Sequence, residues 1–108
     1  MLKNLLTAVI ALCSLTANAT TVQDMIEICK RSDARQYYCL GEASGVRGTM
    51  MANADQTKTG PRMCATSLVS NAQVVKIFLN WADKNPADWQ IPSSVGFILA
   101  LREAYPCK

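Results

Sequence analysis

Five cysteines in a chain of 108 residues constrain the fold more than any other feature of this sequence. Cys13 lies in an apolar N-terminal segment, and the other four, Cys29, Cys39, Cys64 and Cys107, are spread over the rest of the chain. A domain this small buries little apolar surface, and small exported domains are commonly stabilised by disulfides. The four cysteines therefore predict two disulfides, and their spacing leaves all three pairings open.

The N-terminal segment has the three parts of a cleavable secretory signal. Lys3 supplies a positive charge, residues 5–13 form an apolar run, and residues 17–19 (Ala-Asn-Ala) match a cleavage site with small residues. The run is shorter than the ~20 apolar residues that cross a bilayer, which argues against a membrane anchor. We therefore predict cleavage after Ala19 and a mature domain of residues 20–108 that works outside the cytosol, with the signal itself helical over residues 3–16.

Apolar side chains recur with a helical period in four segments of the predicted mature domain, and none alternates with the period of a strand. The fold class is therefore all-α, a small four-helix domain with two disulfides. The predicted helices cover residues 22–31, 34–52, 72–84 and 94–104. Thr21 with Asp24, and Ser70 with Gln73, have the spacing of a capping box, and Ser93 is the expected cap of the fourth helix.

The second and fourth predicted helices carry less regular patterns. Three glycines, Gly41, Gly45 and Gly48, each cost ~1 kcal/mol relative to alanine in a helix, and they predict either a close approach of a neighbouring backbone or a kink. The alternative is a looser segment that ends near Gly48. The main face predicted for the fourth helix consists of Val95, Ile98, Leu99 and Arg102, with Phe97, Leu101 and Tyr105 beside it.

The chain offers little for catalysis, because it contains no histidine and its cysteines are assigned to disulfides. No cysteine pair has the spacing of a zinc site, and no glycine loop has the spacing that holds phosphate. Glu42 lies among small residues, and if it is buried it needs a partner such as Arg47 or Arg102. We therefore predict a protein that is not an enzyme, with no catalytic, cofactor-binding or metal-binding residues. The net charge of +3 is not clustered, so nucleic acid is not an expected partner.

The aromatic residues bear on binding instead. Trp81 falls on an apolar row of the third helix and is predicted to lie in the core. Trp89 lies between two prolines in the connector of residues 84–90, where it either plugs the end of the bundle or anchors a partner. The polar stretch of residues 53–63 contains a Gly-Pro pair and is predicted to be an exposed loop.

Several short motifs, in order along the chain, carry a family resemblance. They are Tyr38-Cys39-Leu40-Gly41 with Gly45, then Cys64, Val74-Val75-Lys76-Ile77-Phe78-Leu79, Asn85-Pro86 and Ala100-Leu101-Arg102-Glu103-Ala104-Tyr105-Pro106-Cys107. This set, covering about residues 28–107, resembles the Rap/Tai immunity proteins, which neutralise peptidoglycan amidase effectors of the type VI secretion system. Glu42 departs from the family, which often has tyrosine or another apolar residue at that position.

The resemblance implies a periplasmic, all-helical immunity protein, often a homodimer, that has no catalytic activity and occludes the active site of an amidase toxin. The alternative is a general stress-related periplasmic binding protein or chaperone with no dedicated toxin partner. Because loops carry binding more often than packed helices do, we predict partner contacts on the polar loop and the connector. The predicted contact residues are Asp55, Lys58, Arg62, Lys84, Asp88 and Trp89.

Overall fold

The computed structural model describes residues 20–108, so the predicted signal sequence lies outside the described residues. Within that range the chain forms four α-helices, and its only β-type pairing is an isolated bridge between Thr21 and Pro92. The helices are α1 (Val22–Cys29), α2 (Gln36–Ala52), α3 (Asn71–Lys84) and α4 (Ser93–Ala104). A π-helical turn (Asn53–Thr57) extends α2, and a 3-10 turn (Pro86–Asp88) precedes α4. The predicted all-α, four-helix class is confirmed.

The first turns of α1 and α3 are fixed by the predicted capping boxes. The Thr21 hydroxyl accepts a hydrogen bond from the Asp24 backbone N–H at 3.2 Å, and the Asp24 carboxylate accepts one from the Thr21 N–H at 3.2 Å. Ser70 and Gln73 make the same reciprocal pair at 3.2 and 2.9 Å. Each pair satisfies two backbone donors that a helix start otherwise leaves unpaired.

The turn between α1 and α2 is longer than the sequence pattern indicated. Asp33 accepts side-chain hydrogen bonds from Arg31, and its carboxylate also accepts one from the Arg35 backbone N–H at 3.1 Å. The Gln36 N–H donates to the Asp33 carbonyl at 3.1 Å. Because Asp33 organises the backbone locally, α1 ends at Cys29 instead of residue 31, and α2 begins at Gln36 instead of residue 34.

All four helices contribute to a single hydrophobic core. The rings of Phe78 from α3 and Phe97 from α4 stack with centroids 4.1 Å apart, and Trp81 is only 7% exposed, which confirms its predicted place in the core. α1 and α4 approach each other closely at Gly96, where an added Cβ would lie 2.6 Å from a methyl group of Val22. Gly96 therefore permits the contact between α1 and α4.

The glycines of α2 have a different setting from the one predicted. Gly41, Gly45 and Gly48 are exposed, and a Cβ added at any of them would meet nothing of the described residues 20–108 within 4 Å. The predicted close approach of a neighbouring backbone is therefore wrong. The alternative of a looser segment is also wrong, because α2 continues past Gly48 to Ala52. Because these glycines have no side chains, the backbone of α2 is exposed along one side of the helix.

The buried face of α4 is another correction. Its buried residues are Ser93, Gly96, Phe97, Ala100 and Leu101. Val95 and Arg102, which were assigned to the main face, are exposed, whereas Phe97 and Leu101 from the accessory row are fully buried. The small residues Gly96 and Ala100 let α4 approach the core on that side, and a pattern of large apolar residues does not reveal them.

Each of two disulfides joins two segments of the fold. Cys29–Cys39 joins the end of α1 to the first turns of α2, and Cys64–Cys107 joins the chain after the polar loop to the C-terminal tail. The predicted disulfides are confirmed, and the structure supplies the pairing. The polar loop is exposed from residue 55 to residue 62, but Asn53 and Ala54 are half-buried and Met63 is buried at 1% exposure, so the predicted exposed segment of residues 53–63 is too long at both ends. None of the helices in residues 20–108 combines the length and the apolar character needed to cross a membrane.

Candidate partner-binding surfaces

The six predicted contact residues form two groups at opposite ends of α4. The connector meets the start of α4, where the Ser93 N–H donates to the Thr20 carbonyl at 2.8 Å. The polar loop leads to the other end, where the Cys64 N–H donates to the Tyr105 carbonyl at 2.9 Å. A helix of 12 residues separates these ends by ~18 Å. The structure therefore does not bring the two groups into one site.

The polar loop is held mainly by its own hydrogen bonds. The Lys58 N–H donates to the Asn53 carbonyl at 2.7 Å, and the Asn53 side-chain amide donates to the Pro61 carbonyl at 2.8 Å. Lys58 and Gly60 have positive φ angles of 53° and 73°, which close the turn. Asp55, Lys58 and Arg62 are all exposed, so the structure leaves these predicted contact residues free to meet a partner.

A cleft of about 460 Å³ lies between this loop and the C-terminal tail. It is lined by Gly60, Pro61, Arg62, Arg102, Pro106 and Cys107. Its charged lining residues are two arginines, and both are exposed. Guanidinium groups bind carboxylates through paired N–H donors, so this cleft favours an anionic group on a partner.

The connector is hydrogen-bonded to α1 and to α3. The Trp89 indole N–H donates to the Ala82 carbonyl at 2.8 Å, and the half-buried ring packs against the core. The Gln23 N–H donates to the Trp89 carbonyl at 3.0 Å, and the Val22 N–H donates to the Ile91 carbonyl at 2.9 Å. This geometry supports the first of the two roles considered for Trp89, in which its ring fills the end of the bundle.

The remaining connector residues differ in exposure. Lys84 is the last residue of α3 and is exposed, whereas Asp88 is half-buried and its N–H donates to the Asn85 carbonyl at 3.0 Å. Neither side chain has a hydrogen-bonding partner among residues 20–108. As predicted contacts they remain predictions, with Lys84 the more accessible.

Glu42 has a partner that was not predicted. The Ser93 hydroxyl donates to Glu42 Oε1 at 2.7 Å, and Ser93 is only 3% exposed. The predicted pairing of Glu42 with an arginine is wrong, because Arg47 donates to the Val69 carbonyl at 2.7 Å and Arg102 lies at the loop cleft. Ser93 is the first residue of α4, so its predicted role as the helix cap is also wrong, and Pro92 is the cap.

A second cleft of about 470 Å³ was not selected from the sequence. It is lined by Tyr37, Tyr38, Gly41 and Glu42 on the outer side of α2. The tyrosines are 75% and 58% exposed, which is unusual for aromatic side chains. The available signal was the spacing of Tyr37 from Gly41 and of Tyr38 from Glu42, because residues four apart share a helix face. Leu68, at 86% exposure on the loop before α3, is another exposed apolar residue that the pattern did not single out.

Residues 20–108 contain no group of three or more histidine, cysteine, aspartate or glutamate side chains placed to hold a metal ion. The charged groups of the described chain are mostly exposed, and the ion pair formed among them joins Arg31 to Asp33. Among the clefts of the described surface, one is lined by arginines and another by tyrosines and a carboxylate, and this difference in chemistry suits recognition of another protein.

Comparison with known proteins identifies the family. The model of the Rap1a immunity proteins matches residues 21–107, which is nearly the whole of the described chain. No curated protein and no solved structure shows significant similarity to the sequence. The match spans all four helices and both disulfides of the fold. On the evidence of this match, the chain belongs to the Rap1a immunity protein family.

Proposed function

We propose that this chain is a periplasmic immunity protein that binds a peptidoglycan amidase toxin and blocks its active site. The observation that carries the proposal is the family match over residues 21–107, because an immunity protein acts by binding a toxin effector. An amidase delivered by a type VI secretion system is the toxin class that the resemblance of the sequence implies. The chain needs no catalytic group for this role.

The compartment is supported by two independent features. The N-terminal segment has the charge, apolar run and small-residue cleavage site of a secretory signal. All four cysteines of residues 20–108 are paired in disulfides, which persist in the periplasm and are rare in the cytosol. Peptidoglycan lies in the same compartment, so a periplasmic inhibitor would meet the toxin where the toxin acts.

The polar loop is the surface that we propose for the active-site contact. Enzyme active sites are concave, and a loop that protrudes from a rigid bundle can enter such a cleft. This loop is closed by the hydrogen bond from the Asn53 side chain to Pro61 and is followed at once by the Cys64–Cys107 disulfide. Holding a loop in its bound shape reduces the entropy lost on association. Lys58, Arg62 and Arg102 would also attract an acidic rim on the toxin.

The resemblance further implies a homodimer, and we include this assembly in the proposal. Light scattering of the purified chain measures the mass of the particle in solution. A mass of twice the monomer supports the dimer, and a monomer mass at micromolar concentration contradicts it.

The chaperone alternative has weaker support. A protein that holds unfolded clients needs a broad exposed apolar surface. The exposed large apolar residues among residues 20–108 are Tyr37, Tyr38, Leu68 and Val95. Leu68 precedes α3 and Val95 follows the connector at the other end of that helix, so Leu68 and Val95 do not lie in one patch.

The test is an inhibition assay with the disulfide-bonded chain and a panel of peptidoglycan amidase effectors. We expect one effector to lose its muropeptide hydrolysis as the chain approaches an equimolar amount. A rate of hydrolysis that no excess of the chain reduces, for any effector, contradicts the proposal. Suppressed aggregation of unrelated unfolded proteins, measured with the same sample, would favour the chaperone alternative instead.

A further inference from the structure

The cleft on the outer side of α2 has features that the fold does not require. Its aromatic walls are Tyr37 and Tyr38, which leave 75% and 58% of their surface in solvent. Tyr38 and Glu42 are four residues apart, as are Tyr37 and Gly41, so each pair lies on one face of the helix. Two exposed aromatic rings therefore lie beside a carboxylate on the same side of α2.

The carboxylate of Glu42 is held in position while part of its bonding capacity stays unused. Its Oε1 accepts a hydrogen bond from the nearly buried Ser93 hydroxyl at 2.7 Å. No other hydrogen bond to Glu42, and no ion pair, is made by residues 20–108. An ionised carboxylate can accept about four hydrogen bonds, so acceptor sites remain for a donor that enters the cleft.

Gly41 leaves room for that donor. Apart from the adjoining residues, a Cβ added at this position would meet nothing of residues 20–108 within 4 Å, so the surface beside the tyrosines is open to an incoming group. Its lining contains no basic side chain, so a positive group would meet no direct repulsion from the lining.

The side chains that line the cleft favour a planar cation as the ligand. Tyrosine rings attract a cation placed over their faces, and a carboxylate accepts charge-assisted hydrogen bonds from it. A guanidinium group can do both at once, because it stacks on aromatic rings and presents N–H donors along its edge. An ammonium group is more strongly hydrated and cannot stack in this way.

We propose that the cleft of Tyr37, Tyr38, Gly41 and Glu42 binds an arginine side chain of a partner protein. This inference rests on the proposed function, in which that partner is the toxin. The cleft lies near the start of α4, where Ser93 holds Glu42, and the arginine-lined cleft lies ~18 Å away at the other end of that helix. A protein interface of ordinary size, ~800 Å² on each partner, can cover both.

The test uses N-acetyl-arginine amide as the probe and follows the backbone amides of the disulfide-bonded chain by NMR. We expect saturable shifts confined to residues 37–42 and Ser93, with a dissociation constant in the millimolar range. N-acetyl-citrulline amide, which has nearly the same shape without the charge, should produce none of them. Equal shifts with both compounds would overturn the proposal, and so would a lysine amide that binds as tightly as the arginine amide.

Variants separate the cleft from general effects of charge. Glu42→Gln keeps an acceptor for Ser93 but removes the negative charge, and it should weaken binding of the arginine amide by ~10-fold or more. Glu27→Gln removes the same charge from an exposed position on α1 and should leave the binding unchanged. An equal response of the wild-type chain and the Glu42→Gln variant would overturn the proposal.

The toxin assay distinguishes the failure of this inference from the failure of the proposed function. If the chain inhibits an amidase and Glu42→Gln inhibits it equally well, the arginine cleft is contradicted and the function stands. If Glu42→Gln requires at least ~10-fold more protein for the same inhibition, the cleft is supported. If no amidase is inhibited, the function fails, and the amide titration still decides whether the cleft binds arginine.

Discussion

The connector lies at the N-terminal end of α4, and the polar loop lies near its C-terminal end. Both segments contain proline, aspartate and lysine, but their hydrogen bonds go to different parts of the molecule. In the connector, Trp89 donates to Ala82 of α3, and the carbonyls of Trp89 and Ile91 accept from the backbone of α1. In the loop, Lys58 and Pro61 bond to Asn53 of the same segment. The connector therefore stabilises the bundle, whereas the loop keeps its shape with few ties to the helices.

This contrast shows how one fold can separate stability from recognition. Side chains whose polar atoms are bonded inside the protein have little left to offer a partner. The loop, in contrast, exposes Asp55, Lys58 and Arg62, and the Cys64–Cys107 disulfide follows directly after it. Changes in the connector should therefore affect folding first, and changes on the loop should affect binding first.

Removal of the Cys64–Cys107 disulfide should have the largest effect. With a separation of 43 residues, the loss of the bond should lower the free energy of unfolding by about 4 kcal/mol through the entropy of the unfolded chain. Urea denaturation of the double variant Cys64→Ala and Cys107→Ala, compared with the wild type, measures this loss. A loss below about 1 kcal/mol would show that the loop end is secured by packing and not by the disulfide.

Truncation of Trp89 should have the next largest effect. Trp89→Ala removes a half-buried ring and one of the two donors to the Ala82 carbonyl, which keeps the bond from the Asn85 N–H, so we expect a loss of about 3 kcal/mol in the free energy of unfolding. Trp89→Phe keeps an aromatic ring and should cost only about 1 kcal/mol. A variant with unchanged melting temperature but weaker toxin binding would reverse the assignment and make Trp89 an anchor.

Substitution of Arg62 should weaken binding without weakening the fold. Arg62 is exposed, so Arg62→Ala should change the free energy of unfolding by less than about 0.5 kcal/mol. We expect its affinity for the toxin, measured by calorimetry, to fall by ~10-fold. Lys84→Ala, which removes an exposed cation at the other end of the bundle, is the matched control. A greater loss of affinity for Lys84→Ala than for Arg62→Ala would move the interface to the connector end.

Asp33 should give the smallest effect, and one that depends on pH. The hydrogen bond from Arg31 lowers the pKa of the Asp33 carboxyl from 3.8 to about 2. Because the folded-state pKa is lower, the stabilisation is complete above pH 3.8 and is lost as the pH falls towards 2. The melting temperature of Asp33→Asn should therefore lie slightly below that of the wild type at pH 6, and the gap should close near pH 2. A gap that is the same at both pH values would contradict this origin.

Local signals in the sequence were sufficient for most of the fold. The capping boxes of Thr21 with Asp24 and Ser70 with Gln73 involve residues three apart, so their spacing is visible in the chain. The helical period was clear where large apolar residues face the core, as for Phe78 and Trp81. The helical period did not identify the buried face of α4, because that face contains the small residues Gly96 and Ala100, which do not stand out in a pattern of large apolar residues.

The features that depend on distant residues were not predictable in the same way. Glu42 is bonded to Ser93, which is 51 residues further along the chain, and no local pattern distinguishes this serine from a helix cap. The choice between the two roles of Trp89 required the position of the Ala82 carbonyl. The cleft on α2 depends on the exposure of Tyr37 and Tyr38, and tyrosine is intermediate in its usual burial, so the residue type does not predict that exposure.

Hydrogen–deuterium exchange of the chain, alone and saturated with the amidase toxin that it inhibits, tests the central claim most directly. The account predicts slower exchange in the complex for the amides of residues 55–62 in the polar loop. It also predicts unchanged exchange for the amides of residues 87–90 in the connector, where the N–H groups of Asp88 and Trp89 are already bonded to the carbonyls of Asn85 and Pro86. Slower exchange in the connector, together with an unchanged polar loop, would contradict the account.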